Sequence, residues 1–109
     1  MNCLNSIILE GYIESVTKEE NKSTIKISVL RDAERDGHSV IETSVFEAVA
    51  YGTLAEYVAK HTDSGRGLRV VGRLASKACV INNIGYDKVY IVAEHIEFKP
   101  KFKEVSNVN

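Results

Sequence analysis

The sequence predicts an all-β domain with one short helix: three strands, then the helix, then two more strands. Three observations carry this. Runs of alternating apolar and polar residues recur along the chain, most cleanly in "TIKISVLR" at 24–31, and period two is the signature of a half-buried strand. One segment alone, after Tyr51 and Gly52, changes to helical spacing, with Leu54, Tyr57, Val58 and His61 on one face. The length, 109 residues, suits one domain able to bury its own core. Five strands with a helix between the third and fourth is the layout of an OB-fold, a small Greek-key barrel.

The first strand is expected over 4–14, "LNSIILEGYIE". Ile7, Leu9 and Ile13 share one parity, and Gly11 marks a bulge or bend. "TKEENKS" is a polar turn. In the second strand Ile25, Ile27 and Val29 point inward, and Thr24, Lys26 and Ser28 outward. "DAERDGHS" is then a charged loop with Gly37 in its turn. "VIETSVFEAVAY", 40–51, is rich in β-branched and aromatic residues and forms the third strand.

Thr53 and Glu56 match a capping box, so 54–61 is expected as a short amphipathic helix, stopped by Gly65. The fourth strand covers 68–77, "LRVVGRLASK". "VINNIGYDK" is a hairpin turn or a longer arm, and 88–98 is the fifth strand, ended by Pro100. His61 and His95 are expected to be structural. The domain is expected to span 1–99, with 100–109 a short polar tail.

Composition excludes several classes. No apolar run is long enough for a membrane helix, and the N-terminus has no signal-peptide pattern, so a cytoplasmic location is expected. Cys3 and Cys79 stand alone, without the close Cys/His pairs of a metal site, and are expected as small buried or half-buried hydrophobes. No nucleophile constellation or phosphate-binding glycine loop is present. Neither a catalytic residue, a metal nor a cofactor is therefore expected.

Net charge is −1, which gives no overall pull toward nucleic acid. The distribution is uneven: 60–77 holds Lys60, Arg66, Arg69, Arg73 and Lys77 against Asp63. On the fourth strand Arg69, Val71, Arg73, Ala75 and Lys77 share one face, a row of three cations about 26 Å long. Leu68, Val70, Gly72 and Leu74 form the core face. A bulge at Gly72 would break this alignment. Two readings of the row stay open: phosphate contacts along a single strand of nucleic acid, or a solvated face that blunts a strand edge.

Several segments together resemble the bacterial single-stranded DNA-binding protein family. "MNCLNSIILEGYI" is similar to the family's opening, and "TIKISV" to its second strand. "ETSVFEAVAYGTLAEYVAKH" resembles the signature T-x-F-x-x-V-x-x-aromatic-Gly-x-Leu-Ala-Glu. "RVVGRL" and "IVAEHIEF" resemble the fourth and closing strands, so the likeness spans 1–98. It implies an OB-fold without catalysis that binds single-stranded DNA in replication, recombination or repair, through a basic groove and aromatic stacking. It also implies self-assembly into a homotetramer, with a homodimer as the alternative.

On this reading Lys26, Arg31, Arg69, Arg73 and Lys77 meet phosphates and Tyr51 stacks on a base. Ile8 and Tyr12, outward on the first strand, are candidates for the subunit interface. The chain departs from the family at Val45 and Cys79, which stand where aromatic platforms are usual. Phe46, beside Val45, has core parity. No acidic-tip tail for recruiting replication proteins is expected. The alternative function is a primosome-type accessory or protein-interaction module with weak nucleic-acid binding.

Overall fold

In the computed structural model, residues 2–61 and 63–100 are described. β1 (Ile7–Glu19), β2 (Lys22–Arg35), β3 (His38–Tyr51), α1 (Gly52–Ala59), β4 (Gly67–Ile81) and β5 (Ile84–Phe98) follow in the expected order. The strands close into a barrel in the order β1-β2-β3-β5-β4, which confirms the OB-fold. All ladders are antiparallel except β3–β5, which pairs Ala48 with Ile91 and Val49 with Val92. The tail expected over 100–109 lies, beyond Pro100, outside the described residues.

The barrel closes around the alternating apolar face. Ile13, Ile25, Ile27, Ala48, Ala50, Leu68, Val70, Ile91, Ala93 and Ile96 are buried, and Ala55 and Val58 of α1 join them. Each isoleucine or leucine so buried contributes roughly 1.5–3 kcal/mol. The buried Ser23 hydroxyl donates to the Ala55 carbonyl at 2.8 Å, which ties α1 to β2.

Two bulges keep apolar residues inside where strict alternation would expel them. On β1 the register passes from Ile13↔Ile27 to Ser15↔Lys26, so Glu14 is the extra residue and Val16 returns to the core side. On β5 it passes from Val71↔His95 to Gly72↔Ala93. Glu94 is the extra residue, and Ile96, Ala93 and Ile91 all face inward despite mixed parity. β4 keeps its own alternation, so the cation row stays on one face.

Gly11 is not the bulge that the sequence suggests. A Cβ there would lie 2.4 Å from the Ser28 carbonyl oxygen, so this glycine permits close approach of β2. Gly72 does the same against β5, where a Cβ would meet the Val92 oxygen at 2.0 Å.

The strands are longer than expected. The charged segment 32–39 is not a loop: β2 and β3 pair as far as Arg35↔His38. Asp36 (φ 52) and Gly37 (φ 78) alone make the turn, a two-residue turn whose mirror geometry suits strand twist. The turn in "TKEENKS" shrinks to Glu20 and Asn21, because β1 runs on to Glu19. β4 and β5 pair to Ile81↔Ile84 around Asn82 (φ 52) and Asn83 (φ 64). Two long hairpin arms, β2–β3 and β4–β5, thus leave the barrel.

Smaller expectations also change. β1 starts at Ile7, and Leu4 before it is exposed. No capping box forms: α1 opens at Gly52 (φ 62) behind Tyr51, without a side-chain cap. The helix ends at Ala59, so Gly65 (φ 87) serves the turn at 63–66 instead. Phe46 keeps core parity opposite Ile27 but is 41% exposed. It sits where the β2–β3 arm leaves the barrel, in an apolar groove with Ile7, Leu74 and Ile91. Leu74 has the right parity and is exposed for the same reason. Cys79 is half-buried as expected, whereas Cys3 is exposed, and both are free thiols.

Candidate nucleic-acid interface

The outer surface of four adjacent strands gathers most of the predicted site residues. Lys26 pairs with Glu47 across β2–β3, and Lys22 with Tyr51. Val49 pairs with Val92, and Val92 with Arg73 across β5–β4. Ala75↔Tyr90, Lys77↔Lys88 and Cys79↔Tyr86 continue that face along the β4–β5 arm. Side chains opposite one another in a ladder share a face, so Lys26, Tyr51, Arg73 and Lys77 lie on one curved surface. Its four strands make three spacings of about 4.8 Å each. Tyr51 is 49% exposed there. Arg69 lies further along the same face of β4, opposite Glu10 of β1. Arg31 does not join them. It has the parity of Ile27 and Val29 and lies, opposite Glu42, on the reverse face of the β2–β3 arm.

Carboxylates already engage several of these cations. Arg69 donates to Glu10 through Nη2 at 2.6 Å and Nε at 2.7 Å. Lys99 Nζ reaches the other Glu10 oxygen at 3.3 Å. Hydrogen bonding from Arg69, with help from Lys99, holds the Glu10 carboxyl below its usual range, and the same contact pushes the Arg69 guanidinium up. Arg73 lies 3.7 Å from Glu94. Arg31 lies 3.0 Å from Glu42, which also takes Arg35.

Lys26 and Lys77 differ. Neither has a carboxylate partner among the described residues, and Lys77 Nζ sits 5.7 Å from the Tyr90 ring centroid.

Three residues outside the predicted site stand on the same face: Tyr86, Lys88 and Tyr90. Lys88 reaches Glu47 of β3 at 2.8 Å, which raises the lysine above its ordinary range and ties the arm to the barrel. Tyr86 is 41% exposed, and hydrogen bonding with the Cys79 thiol pushes its phenol up. The signal was present in the sequence. A two-residue turn at Asn82 and Asn83 fixes every cross-strand pair by counting outward, which sets Tyr86 against Cys79 and Tyr90 against Ala75.

Elsewhere, His61 stacks on Phe98 with centroids 4.3 Å apart, Tyr57 meets the Phe98 edge, and Arg66 covers that ring at 5.4 Å. Ile8 and Tyr12 are outward on β1 and exposed. Residues 7–10 pair only with β4, since pairing to β2 begins at Tyr12, so one edge of this segment is open. No group of side chains suited to a metal ion occurs among the described residues, nor does a helix long and apolar enough to cross a membrane.

No family model matches the chain, and no curated sequence does. Solved structures do match. An SSB from Plasmodium falciparum, solved in complex with ssDNA, superposes with a TM-score of 0.77 at 17% identity, over 92% of this chain and 98% of that one. A small single-stranded DNA-binding protein from Mycoplasma pneumoniae gives 0.69 at 26% identity, over 94% and 100%. One from Streptomyces coelicolor gives 0.68 at 18%, over 91% and 96%. The chain has the OB-fold found in these small single-stranded DNA-binding proteins, the group that the sequence segments resemble.

Proposed function

We propose that this protein binds single-stranded DNA without catalysis, in replication, recombination or repair, along the outer face of β2, β3, β5 and β4. One observation carries the reading: this face joins an exposed ring, Tyr51, to Lys26 and Lys77, which have no carboxylate partner among the described residues, on a barrel of the kind whose solved neighbours are single-stranded DNA-binding proteins. Such proteins combine a positive groove with rings on which bases stack, and stacking contributes roughly 1–3 kcal/mol per base.

In this reading Tyr51 takes a base and Lys26 and Lys77 take phosphates. Arg73 and Arg69 exchange a carboxylate for a phosphate on binding. Exposed ion pairs contribute little, so the exchange is inexpensive. Arg31, on the reverse face, adds only to the general potential.

A single strand wound over this surface would suit an assembly of several copies. The open edge of residues 7–10, with Ile8 and Tyr12 outward, supports self-association through β1 into a dimer and from there a tetramer.

The test is fluorescence anisotropy of a labelled oligo-dT at two salt concentrations, with duplex DNA of equal length as control. Binding to the single strand alone is expected, with affinity falling by a log–log slope of about −0.7 per neutralised phosphate. Tyr51→Ala should cost about 5-fold or more, and Lys26→Ala should flatten the salt slope. Absence of single-strand binding at low salt would overturn the reading and leave the protein-interaction module.

A further inference from the structure

Where the turn before β4 meets the residues after β5, a cavity of about 490 Å³ opens, with Tyr12, Asp63, Arg66, Gly67 and Lys99 in its lining. That volume is in the range of small-molecule sites. Backbone hydrogen bonds stitch its walls together: Ile13 N to Arg66 O at 2.9 Å, Gly65 N to Ile13 O at 2.7 Å and Lys99 N to Gly67 O at 2.9 Å. The Lys99 stem packs on Gly67, where a Cβ would meet it at 3.2 Å. Arg66 is held as well. Its Nε donates to the Lys99 carbonyl at 3.2 Å, and its guanidinium covers the Phe98 ring. Among the described residues, no ion pair includes Arg66.

The cavity also terminates the cation row. Lys99 Nζ and Arg69 bind the two oxygens of one carboxylate, Glu10, so the row Lys77, Arg73, Arg69 continues through Lys99 to Arg66. The lining sets these two cations against the carboxylate of Asp63. A phosphodiester inside a strand carries one negative charge. A terminal phosphate carries nearly two, on three acceptor oxygens, and so suits a fixed pair of cations better than passing backbone does. Tyr12 already pairs with Ser28 and with Gly67. It therefore lies beyond the open edge of residues 7–10, with its exposed ring at the cavity.

We propose that this cavity holds a phosphate monoester attached to a nucleoside, either the phosphorylated end of a bound strand or a free mononucleotide. Arg66 and Lys99 take the phosphate, and Tyr12 lies beside the nucleoside. The strand-end form rests on the single-strand reading above, whereas the free-nucleotide form does not.

Anisotropy with oligo-dT of one length tests this, the ends carrying hydroxyl groups only, a 5′-phosphate or a 3′-phosphate. Calorimetric titration with thymidine monophosphate tests the free nucleotide. Wild type should bind one phosphorylated oligomer about 3- to 10-fold more tightly than the hydroxyl-ended one. Arg66→Gln and Lys99→Gln, checked by thermal unfolding, should erase that preference, and Arg66→Gln should leave hydroxyl-ended binding unchanged. Saturable nucleotide binding that both variants lose, without an end preference, would support the cavity as a site for the free nucleotide. Equal binding of all three oligomers with no nucleotide binding would overturn the cavity site while the single-strand reading stands. A preference that survives both variants would overturn it too. If no oligomer binds, the single-strand reading fails separately: nucleotide binding lost in Arg66→Gln would still uphold the cavity, and its absence would overturn it.

Discussion

At the scale of single residues, Glu10 sets how much of the cation row is available. It holds Arg69 and Lys99 together, so any phosphate at Arg69 must displace it. Glu10→Gln should raise oligo-dT affinity several-fold at low salt and steepen the salt slope by about 0.7 for each phosphate gained. Unchanged affinity and slope in an anisotropy titration would show that Arg69 does not meet DNA.

The pH sign follows from the lowered Glu10 pKa. A group depressed on folding contributes stability above its unfolded pKa and loses it as pH falls through the folded value. The clamp is therefore intact throughout the neutral range, and the gain from Glu10→Gln should not vary there. Gly72 acts on folding instead. With a Cβ only 2.0 Å from the Val92 oxygen, Gly72→Ala must push β4 and β5 apart, at a cost of about 3 kcal/mol in urea unfolding.

Among the elements, the hairpin arms best separate what the sequence reveals from what it hides. Inside the barrel each strand has one wet and one buried face, so "TIKISVLR" alternates and its inward residues, Ile25 and Ile27, are correctly placed. Beyond the barrel neither face meets a core, the alternation lapses, and 32–39 reads as a loop although every residue from Asp32 to Arg35 has a ladder partner. Parity survives there while burial does not, which is why Phe46 and Leu74 are exposed. The bulges at Glu14 and Glu94 leave no compositional mark.

The site was legible in the same proportion. Lys26, Tyr51, Arg73 and Lys77 emerge on one face because strand parity is local, whereas the carboxylate partners of Arg69 and Arg73 depend on register between strands. The arm's register depends on Asn82 and Asn83, both left-handed. A β-branched residue pays heavily in that conformation. Asn83→Val should thus cost about 1–2 kcal/mol, confined to the arm: faster hydrogen exchange at 77–88 with little change at Ile25 or Ile91. Uniform loss of protection would mean that arm and barrel unfold as one unit.

On the scale of the whole molecule, the closed barrel leaves an excess of apolar surface. Ile8 is 69% exposed on β1, and Val80, Ile81 and Ile84 are 57–70% exposed around the arm turn. Single exposed apolar residues are ordinary, but contiguous ones mark contact surfaces. The two patches make different predictions. β1 offers an open backbone edge at 7–10 as well as apolar side chains, so pairing there would join two barrels symmetrically with both hydrogen bonds and burial. A stable contact needs about 800 Å² from each partner, more than Ile8 and Tyr12 alone supply, so the arms must contribute. Sedimentation at micromolar concentration should therefore show an oligomer. Ile8→Glu should dissociate it into folded protomers that keep single-strand binding at higher protein concentration. Ile84→Glu should weaken the oligomer less than Ile8→Glu does, because it leaves the β1 backbone edge untouched. A wild-type monomer would remove self-association altogether. Dissociation by Ile84→Glu but not by Ile8→Glu would move the primary contact from the strand edge to the arms.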